Sequence, residues 1–507
     1  MKIDVHQGGI QTIQADAIIV NLFEGVTHPG GATGIVDQAL SGAISEVIAS
    51  GDLTGKLGET IVLYPRGDIP AKRVIIVGLG ASSGFGLEQV REAAAVAIKQ
   101  AKKIGASNVA TIVHGGGIGG LDIQDATQAV TEGTMLALYH YEKPTVKPNP
   151  DARKIDAVTV VEFDSAKIDD INAGVQAGQI IAESVYLTRT LVNQPSNAAT
   201  PTVLAQTAEA IGEQTGLTCR VLEEDDLQAE GMGLFLAVTQ GAKQPAKFII
   251  MEHKPAALAE TDNQPIVLVG KGVTFDTGGY TLKSSTGMPG MKGDMGGGAA
   301  VIGTMRAVAL LDLPIHVIGL VPAVENMIGA QAYKPNDVFV AKNGVSVEII
   351  STDAEGRLIL ADALCYANTL NPALVIDVAT LTGGKAVALG PRMTALFCTE
   401  DTLFDSLRTA SETVSEPVWR MPLDSAYDRQ LESDTADIKN TGGRLGSAIT
   451  AARFLAHFIG NWPWAHLDIA GGEFYNGGRD QTPRGYLTKG ATGTPVRTFV
   501  EFLRQQS

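Results

Sequence analysis

The chain has 507 residues, 45% of them hydrophobic and 5% aromatic, with 58 glycines. This length calls for two cores rather than one, and scarce aromatics with abundant glycine favour α/β layers over an aromatic-rich β-sandwich. A formal charge of −16 argues against nucleic acid and anionic membranes as partners.

The N-terminus, Met1-Lys-Ile-Asp-Val-His-Gln-Gly8, lacks the charged start and apolar core of a secretory signal. No apolar run reaches the ~20 residues of a transmembrane helix. Cys219, Cys365 and Cys398 form no CxxC pair, which fits buried reduced thiols in a cytoplasmic protein.

Strands are predicted at 17–20, 60–63, 73–77 and 108–113, with a helix over 86–104. Three prolines make 142–150 a loop. A strand at 157–161 and a helix over 173–191 follow. The boundary is expected near residue 170, giving an N-terminal domain 1–170, a linking helix 171–191 and a C-terminal domain 192–507. Further on, strands are predicted at 265–270, 315–321, 347–350, 374–378 and 465–469. Helices are predicted at 297–311, 355–370 and 492–505. There is no internal repeat and no low-complexity tract.

Two segments carry chemistry. Ser351-Thr-Asp-Ala-Glu-Gly-Arg-Leu358 sets Asp353, Glu355 and Arg357 at alternate positions after an apolar run. In an extended backbone these side chains share a face. Two carboxylates on one side need a cation or a proton; the competing reading is a solvated turn before a helix. Gly270-Lys-Gly-Val-Thr-Phe-Asp-Thr-Gly-Gly279 follows the strand at 265–270, and Lys283 and Met291-Lys-Gly-Asp-Met-Gly-Gly297 come next. Asp276 and Asp294 thus join Asp353 and Glu355 as hard oxygen donors, with Lys271 and Lys283 nearby. Such a set in Gly-rich loops after strands suits two divalent ions. Oxygen donors alone favour Mg or Mn, and a nitrogen donor admits Zn or Co. Open α/β sheets bind ligands beyond the carboxyl ends of their strands, where Asp276, Asp353 and Glu355 are predicted to lie.

These blocks resemble the leucyl aminopeptidases, the M17 family of dinuclear metallopeptidases. Supporting similarity lies in Asn193-Gln-Pro-Ser-Asn-Ala-Ala-Thr-Pro201, Ala379-Thr-Leu-Thr-Gly383, Val418-Trp-Arg-Met-Pro-Leu423 and Trp464-Ala-His-Leu-Asp-Ile-Ala-Gly471. The resemblance is detailed over the C-terminal two thirds and holds only in outline before that. It implies a macro-like N-terminal α/β domain and a C-terminal α/β metallopeptidase domain with a central mixed sheet flanked by helices. It further implies that Asp276 and Glu355 bridge two metals, that Asp353 completes one site, and that Lys271 and Asp294 complete the other. A lysine ligand must be neutral. By the same resemblance Lys283 stays charged to stabilise the oxyanion, and Arg357 holds a bicarbonate that shuttles the proton, a task suited to a planar guanidinium. Met291 and Thr380, Leu381, Thr382 and Gly383 would line the pocket for the first substrate residue. The substrate's free amine would bind a metal, restricting cleavage to the N-terminal residue of short peptides, with Leu, Met or other apolar residues preferred. The implied assembly is a homohexamer of two stacked trimers, and the metals are Mn or Zn, with Mg or Co also compatible.

Singly, Lys271 reads as a strand-end lysine, Asp294 as a turn residue, Met291 as core packing and Arg357 as the partner of a nearby acid; the joint spacing argues against all four at once. His316, His457 and His466 lie in apolar surroundings and read as structural. No HExxH occurs, and Gly270-Lys-Gly272 lacks the P-loop spacing. Ser351 stands where the family has Asn, Pro289 where an acid is common, and the loop 471–480 is longer and richer in glycine. Two rivals use the same residues. A two-metal phosphoester hydrolase would clamp phosphate with Lys and Arg, and a non-catalytic scaffold would retain only the fold.

Overall fold

A computed structural model of the chain describes residues 1–147, 149, 152–258 and 263–507. Pro148 and Pro150 of the predicted loop lie outside the described residues. The chain divides into two compact units: Met1–Glu183 with Pro483–Thr488, and Ser184–Thr482 with Lys489–Ser507.

The first unit runs β1 (Lys2–Gln7), β2 (Ala17–Phe23), α1 (Gly31–Ala39), α2 (Ala43–Ser50), β3 (Thr60–Leu63), β4 (Val74–Gly80), α3 (Leu87–Lys103), β5 (Asn108–Thr111), α4 (Ile123–Leu138) and β6 (Ala157–Glu162), then enters α5 (Ile168–Asn193). Its sheet has the order β1-β6-β5-β2-β4-β3, and only the β3–β4 pair is antiparallel. Ile18, Val20, Val74 and Ile76 pack against Val36 and Ile44 of the first two helices. The continuous apolar runs in β2 and β4 are what a parallel strand covered on both faces requires. The elements β1, α1, α2 and α4 were not predicted.

The units divide inside α5, which runs unbroken through the expected boundary at 170 and the expected linking segment 171–191. One continuous helix offers no change of composition to mark that division. Residues 483–488, expected in the C-terminal domain, pack in the first unit instead. There the Tyr486 hydroxyl donates to Glu88 (2.8 Å) and the Gly485 N–H to Glu92 (2.6 Å), both on α3.

The second unit continues with α6 (Pro201–Thr215), β7 (Thr218–Leu222), α7 (Glu224–Ala229), α8 (Gly233–Thr239), β8 (Lys247–His253), β9 (Ile266–Gly270), β10 (Gly272–Asp276), α9 (Gly296–Leu310) and β11 (Val317–Asn326). After them come β12 (Val338–Val340), β13 (Ser346–Glu348), α10 (Gly356–Asn368), β14 (Leu374–Ala379), α11 (Gly383–Leu389), β15 (Thr394–Cys398), α12 (Asp401–Thr413), β16 (Val418–Arg420), β17 (Ile438–Lys439), α13 (Ser447–Ala456), β18 (Trp464–Asp468), β19 (Phe474–Tyr475), β20 (Gly490–Ala491) and α14 (Val496–Gln505). The main mixed sheet has the order β16-β15-β18-β14-β9-β11-β8-β7, with β10 also paired to β11. Two buried clusters, one including Phe248, Leu360 and Trp464 and the other Leu268, Met305 and Phe499, form the core.

Strand β11 runs to Asn326, five residues past its predicted end, and contains Pro322. Proline donates no ladder bond. Pro322 is tolerated because it falls where the parallel partner changes from β9, which ends at Leu320↔Val269, to β10, which begins at Ala323↔Gly272. Strands β9, β10, β11, β14 and β18 run parallel, so Gly270, Asp276, Asn326, Ala379 and Asp468 end at one edge. That edge is where ligands bind in such sheets.

Candidate metal centre

Asp353 and Glu355 do not lie on an extended segment. They occupy a turn that enters α10; Glu355 is the N-cap residue at φ −75 ψ −36, and Arg357 is in the first helical turn. A helix start, not a shared strand face, brings these side chains together. The turn is held on all sides. The Thr352 hydroxyl donates to the Gly278 carbonyl at 2.6 Å, and the Thr281 N–H donates to that hydroxyl at 2.8 Å. Asn326 and Tyr333 both donate to the Thr352 carbonyl at 2.9 Å. The Asn440 amide accepts from the N–H groups of Ile350 and Ser351 and donates to the Ser351 carbonyl. Ser351 accepts from the Asp353 N–H at 3.2 Å, the local bonding expected of either Asn or Ser at that position.

Asp276 ends β10 and Lys271 sits between β9 and β10. Carboxylate oxygens of Asp276, Asp353 and Glu355 lie within 4.8 Å of one another. Each of two lysines sits between two acids. Lys283 Nζ is 2.7 Å from Asp276 and 2.5 Å from Asp353. Lys271 Nζ is 2.7 Å from Asp294 and 2.8 Å from Glu355. Space is tight: a Cβ on Gly356 would lie 2.4 Å from Lys271 Cε.

Burial and mutual repulsion set the electrostatics. Burial, then Glu355, push Asp276 up to about 6, against the pull of Lys283. Burial raises Asp353 and, well above its ordinary value, Asp294. Burial would raise Glu355 too, but Lys271 and Lys283 outweigh it and hold Glu355 low. Both lysines lose hydration, yet the surrounding acids more than compensate and raise them. Both are therefore ammonium ions here. Burial pulls Arg357 down to about 10, still charged at neutral pH.

Arg357 donates to the Asn440 carbonyl at 2.8 Å, and its buried Nε has no acceptor among the described residues. The Thr380 hydroxyl donates to Asp294 at 2.7 Å, and the Thr380 carbonyl accepts from Lys271. Thr382 caps α11 and its hydroxyl donates to Asp468 at 2.6 Å, while the Leu381 N–H donates to the same carboxylate. The Thr380 and Thr382 hydroxyls thus hold acids in place. Met291 opens the short helical turn leading to Asp294, and Gly383 is exposed at the start of α11. His466 is fully buried against Asp377, 2.5 Å away. Of the cysteines, Cys365 and Cys398 are buried and Cys219 half-buried, all as free thiols. Sequence reasoning missed Asn326, whose amide donates to Asp276 at 2.8 Å, along with Tyr333, Asn440 and Asp468. A polar residue closing a long apolar strand is a signal that marks Asn326 and Asp468.

The donor set fits divalent cations. Two ammonium groups already occupy positions between pairs of carboxylates, and the buried Glu355 Oε2 meets no donor among the described residues. Hard oxygen donors with uncommitted lone pairs are what such ions need.

Residues 186–500 match the description "Cytosol aminopeptidase family, catalytic domain", and residues 19–144 match that family's N-terminal domain. A probable cytosol aminopeptidase of Burkholderia mallei (strain SAVP1) is 42% identical over 500 residues, covering 98% of this chain and 96% of the relative. Among solved structures, the bottromycin maturation enzyme BotP in complex with Mn is similar at a TM-score of 0.84 and 32% identity, covering 97% of this chain and 99% of that one. A mutant of tomato leucine aminopeptidase is similar at 0.86 and 30% identity, covering 100% of this chain and 96% of that one.

Proposed function

The chain belongs to the cytosol aminopeptidase (M17) family, and from that premise we propose that it is a dinuclear metallo-exopeptidase removing apolar N-terminal residues, Leu and Met among them, from short peptides. The observation that carries the reading is the pair of cation positions at one sheet edge, each between two acids, all but Asp353 buried. Asp276 and Glu355 would bridge two divalent ions, Asp353 would complete one site, and Lys271 with Asp294 the other. Bound there, two such ions supply an activated water and a polarised carbonyl. Mn is the first ion to test, because the similar BotP was solved with it.

The chain's own groups have separate tasks. Lys283 is charged and reaches the same acids, so its ammonium stands ready to stabilise a developing oxyanion. Arg357, with an uncommitted Nε–H, would hold bicarbonate as the proton relay. Asn326, Thr380 and Tyr333 orient the acids or the turn that carries them. Lys271 would have to give up its proton to act as a ligand. Met291, Thr380, Leu381, Thr382 and Gly383 would border the pocket for the first residue. We further propose action in the cytoplasm as a homohexamer of two stacked trimers; among the described residues no helix is long and apolar enough to cross a membrane.

The test compares Leu-p-nitroanilide, its N-acetylated form and p-nitrophenyl phosphate in the presence of Mn. Cleavage of the first alone is expected. Cleavage of the acetylated form would refute the exopeptidase assignment, and cleavage of the phosphate ester alone would identify a phosphoesterase.

A further inference from the structure

Two neighbouring loops leave the sheet edge that carries the metal centre. Strands β14 and β18 run parallel with Ala379 opposite Asp468, so the segments 380–382 and 469–471 emerge side by side. Between them sits an acid to which the aminopeptidase reading gives no task. Asp468 is fully buried, and its carboxylate accepts four hydrogen bonds. Oδ1 takes the N–H groups of Leu381 at 3.1 Å, Ala470 at 3.1 Å and, more weakly, Thr382 at 3.4 Å. Oδ2 takes the Thr382 hydroxyl at 2.6 Å. That hydroxyl in turn accepts the Lys385 N–H at 3.1 Å as the cap of α11.

A buried carboxylate is stable only when hydrogen bonds and an opposite charge replace its hydration. The opposite charge here is Lys385. It too is fully buried, and its ammonium donates to the Ala470 carbonyl at 2.9 Å and the Gly390 carbonyl at 3.0 Å. Burial pulls Lys385 down, while Asp468 and then Glu473 push it back up. Asp468 thus grips the start of α11 and Lys385 its end, and both hold Ala470, one by its N–H and the other by its carbonyl. Apolar side chains could fill this volume with no desolvation cost, so packing alone does not call for two buried charges. What the charges fix is the position of the loop.

The functional atoms of that loop belong to Thr380, the residue between the end of β14 and Leu381. Its hydroxyl donates to Asp294 at 2.7 Å, and its carbonyl accepts from Lys271 at 3.2 Å. Thr380 therefore touches both residues proposed to complete one of the two ion sites. The other acids are held from elsewhere. Asn326 donates to Asp276 at 2.8 Å, and Ser351 accepts from the Asp353 N–H at 3.2 Å. Among the described residues, no hydrogen bond runs from Asp468, Thr382 or Lys385 to Asp276 or Asp353.

We infer that Asp468, offset by Lys385, is a positioning residue for one ion of the pair: through Leu381 and Thr382 it sets Thr380, which aligns Lys271 and Asp294. This role rests on the dinuclear reading proposed above and makes the two ion sites unequal, because the site completed by Asp353 does not depend on Asp468.

The test is calorimetric titration of the chelator-stripped full chain with manganese chloride, with far-UV circular dichroism on every sample. Asp468→Ala and Thr382→Val accompany the parent; the second keeps the side-chain shape and removes only the hydroxyl. The parent is expected to take up two Mn per chain. Asp468→Ala should weaken one of them about ten- to a hundredfold, as for other groups that orient ligands, and leave the other within about threefold. Thr382→Val should weaken one ion alone, severalfold. Two Mn bound by Asp468→Ala as tightly as by the parent would overturn the role of Asp468 and leave the dinuclear reading standing. Equal weakening of both ions would show a loosened sheet edge rather than a positioned Thr380, and would overturn it as well. Should Asp468→Ala fail to fold, Thr382→Val decides, and unchanged affinity for both ions in that variant overturns the role. A parent chain that binds fewer than two Mn would overturn the dinuclear reading itself, and this role with it.

Discussion

Lys283 and Lys271 look alike in sequence, each a lysine beside an aspartate-bearing loop, yet their surroundings separate them. Lys271 is 3% exposed and Lys283 18%, so the second retains an open side toward which a substrate carbonyl can approach. Lys283→Ala should lower kcat by roughly a hundred- to a thousandfold, the usual effect of losing one oxyanion donor, with KM changed much less; steady-state kinetics on Leu-p-nitroanilide measures both. Asn326→Ala removes the amide that orients Asp276 and donates to the Thr352 carbonyl. A weakened metal affinity, by about ten- to a hundredfold as for other groups that orient ligands, is expected from metal titration of this variant. A third residue acts on stability. Burial pulls His114 down to about 4. The unfolded chain therefore binds the extra proton first, so stability is fully present above about 6.5 and is lost as pH falls through about 4. Thermal unfolding from pH 7 to 4 should fall less steeply in His114→Gln than in the parent chain.

At the scale of elements, Gly297 and Gly298 serve packing. Helix α9 lies so close to the sheet that a Cβ on Gly297 would sit 2.1 Å from the Val378 carbonyl oxygen, and one on Gly270 would sit 2.5 Å from the Gly297 carbonyl oxygen. Gly297→Ala should cost about 3 kcal/mol, the upper range for overpacking a rigid site, seen as a lower midpoint in urea. The sequence made α9, β9 and β14 legible because their apolar runs are long and unambiguous. Over 351–354 the alternate spacing suggests an extended segment where the chain turns, whereas the helix predicted from 355 is α10 (Gly356–Asn368). The acids still converge, since Thr352, bonded to Gly278, Thr281, Asn326 and Tyr333, fixes the turn from residues distant in the chain. Such long-range bonds leave no local pattern, so Tyr333 and Asn440 were invisible. The short elements β12, β13 and β17 were only partly foreseen for the same reason: their partners, not their own periodicity, make them strands.

For the whole molecule, a charge of −16 coexists with a centre where two lysines meet four acids. The fold is expected to persist without divalent ions, because each ammonium bridges two acids and offsets one of their charges. The direct measurement is Leu-p-nitroanilide hydrolysis by chelator-stripped protein, with Mn or Zn added back, beside Lys283→Ala, with far-UV circular dichroism on every sample. Unchanged circular dichroism throughout, activity lost on stripping and restored by metal in the parent chain alone, is the expected result. A folded protein that stays inactive with every metal, or a Lys283→Ala variant as active as the parent, would contradict the proposed two-metal aminopeptidase centre.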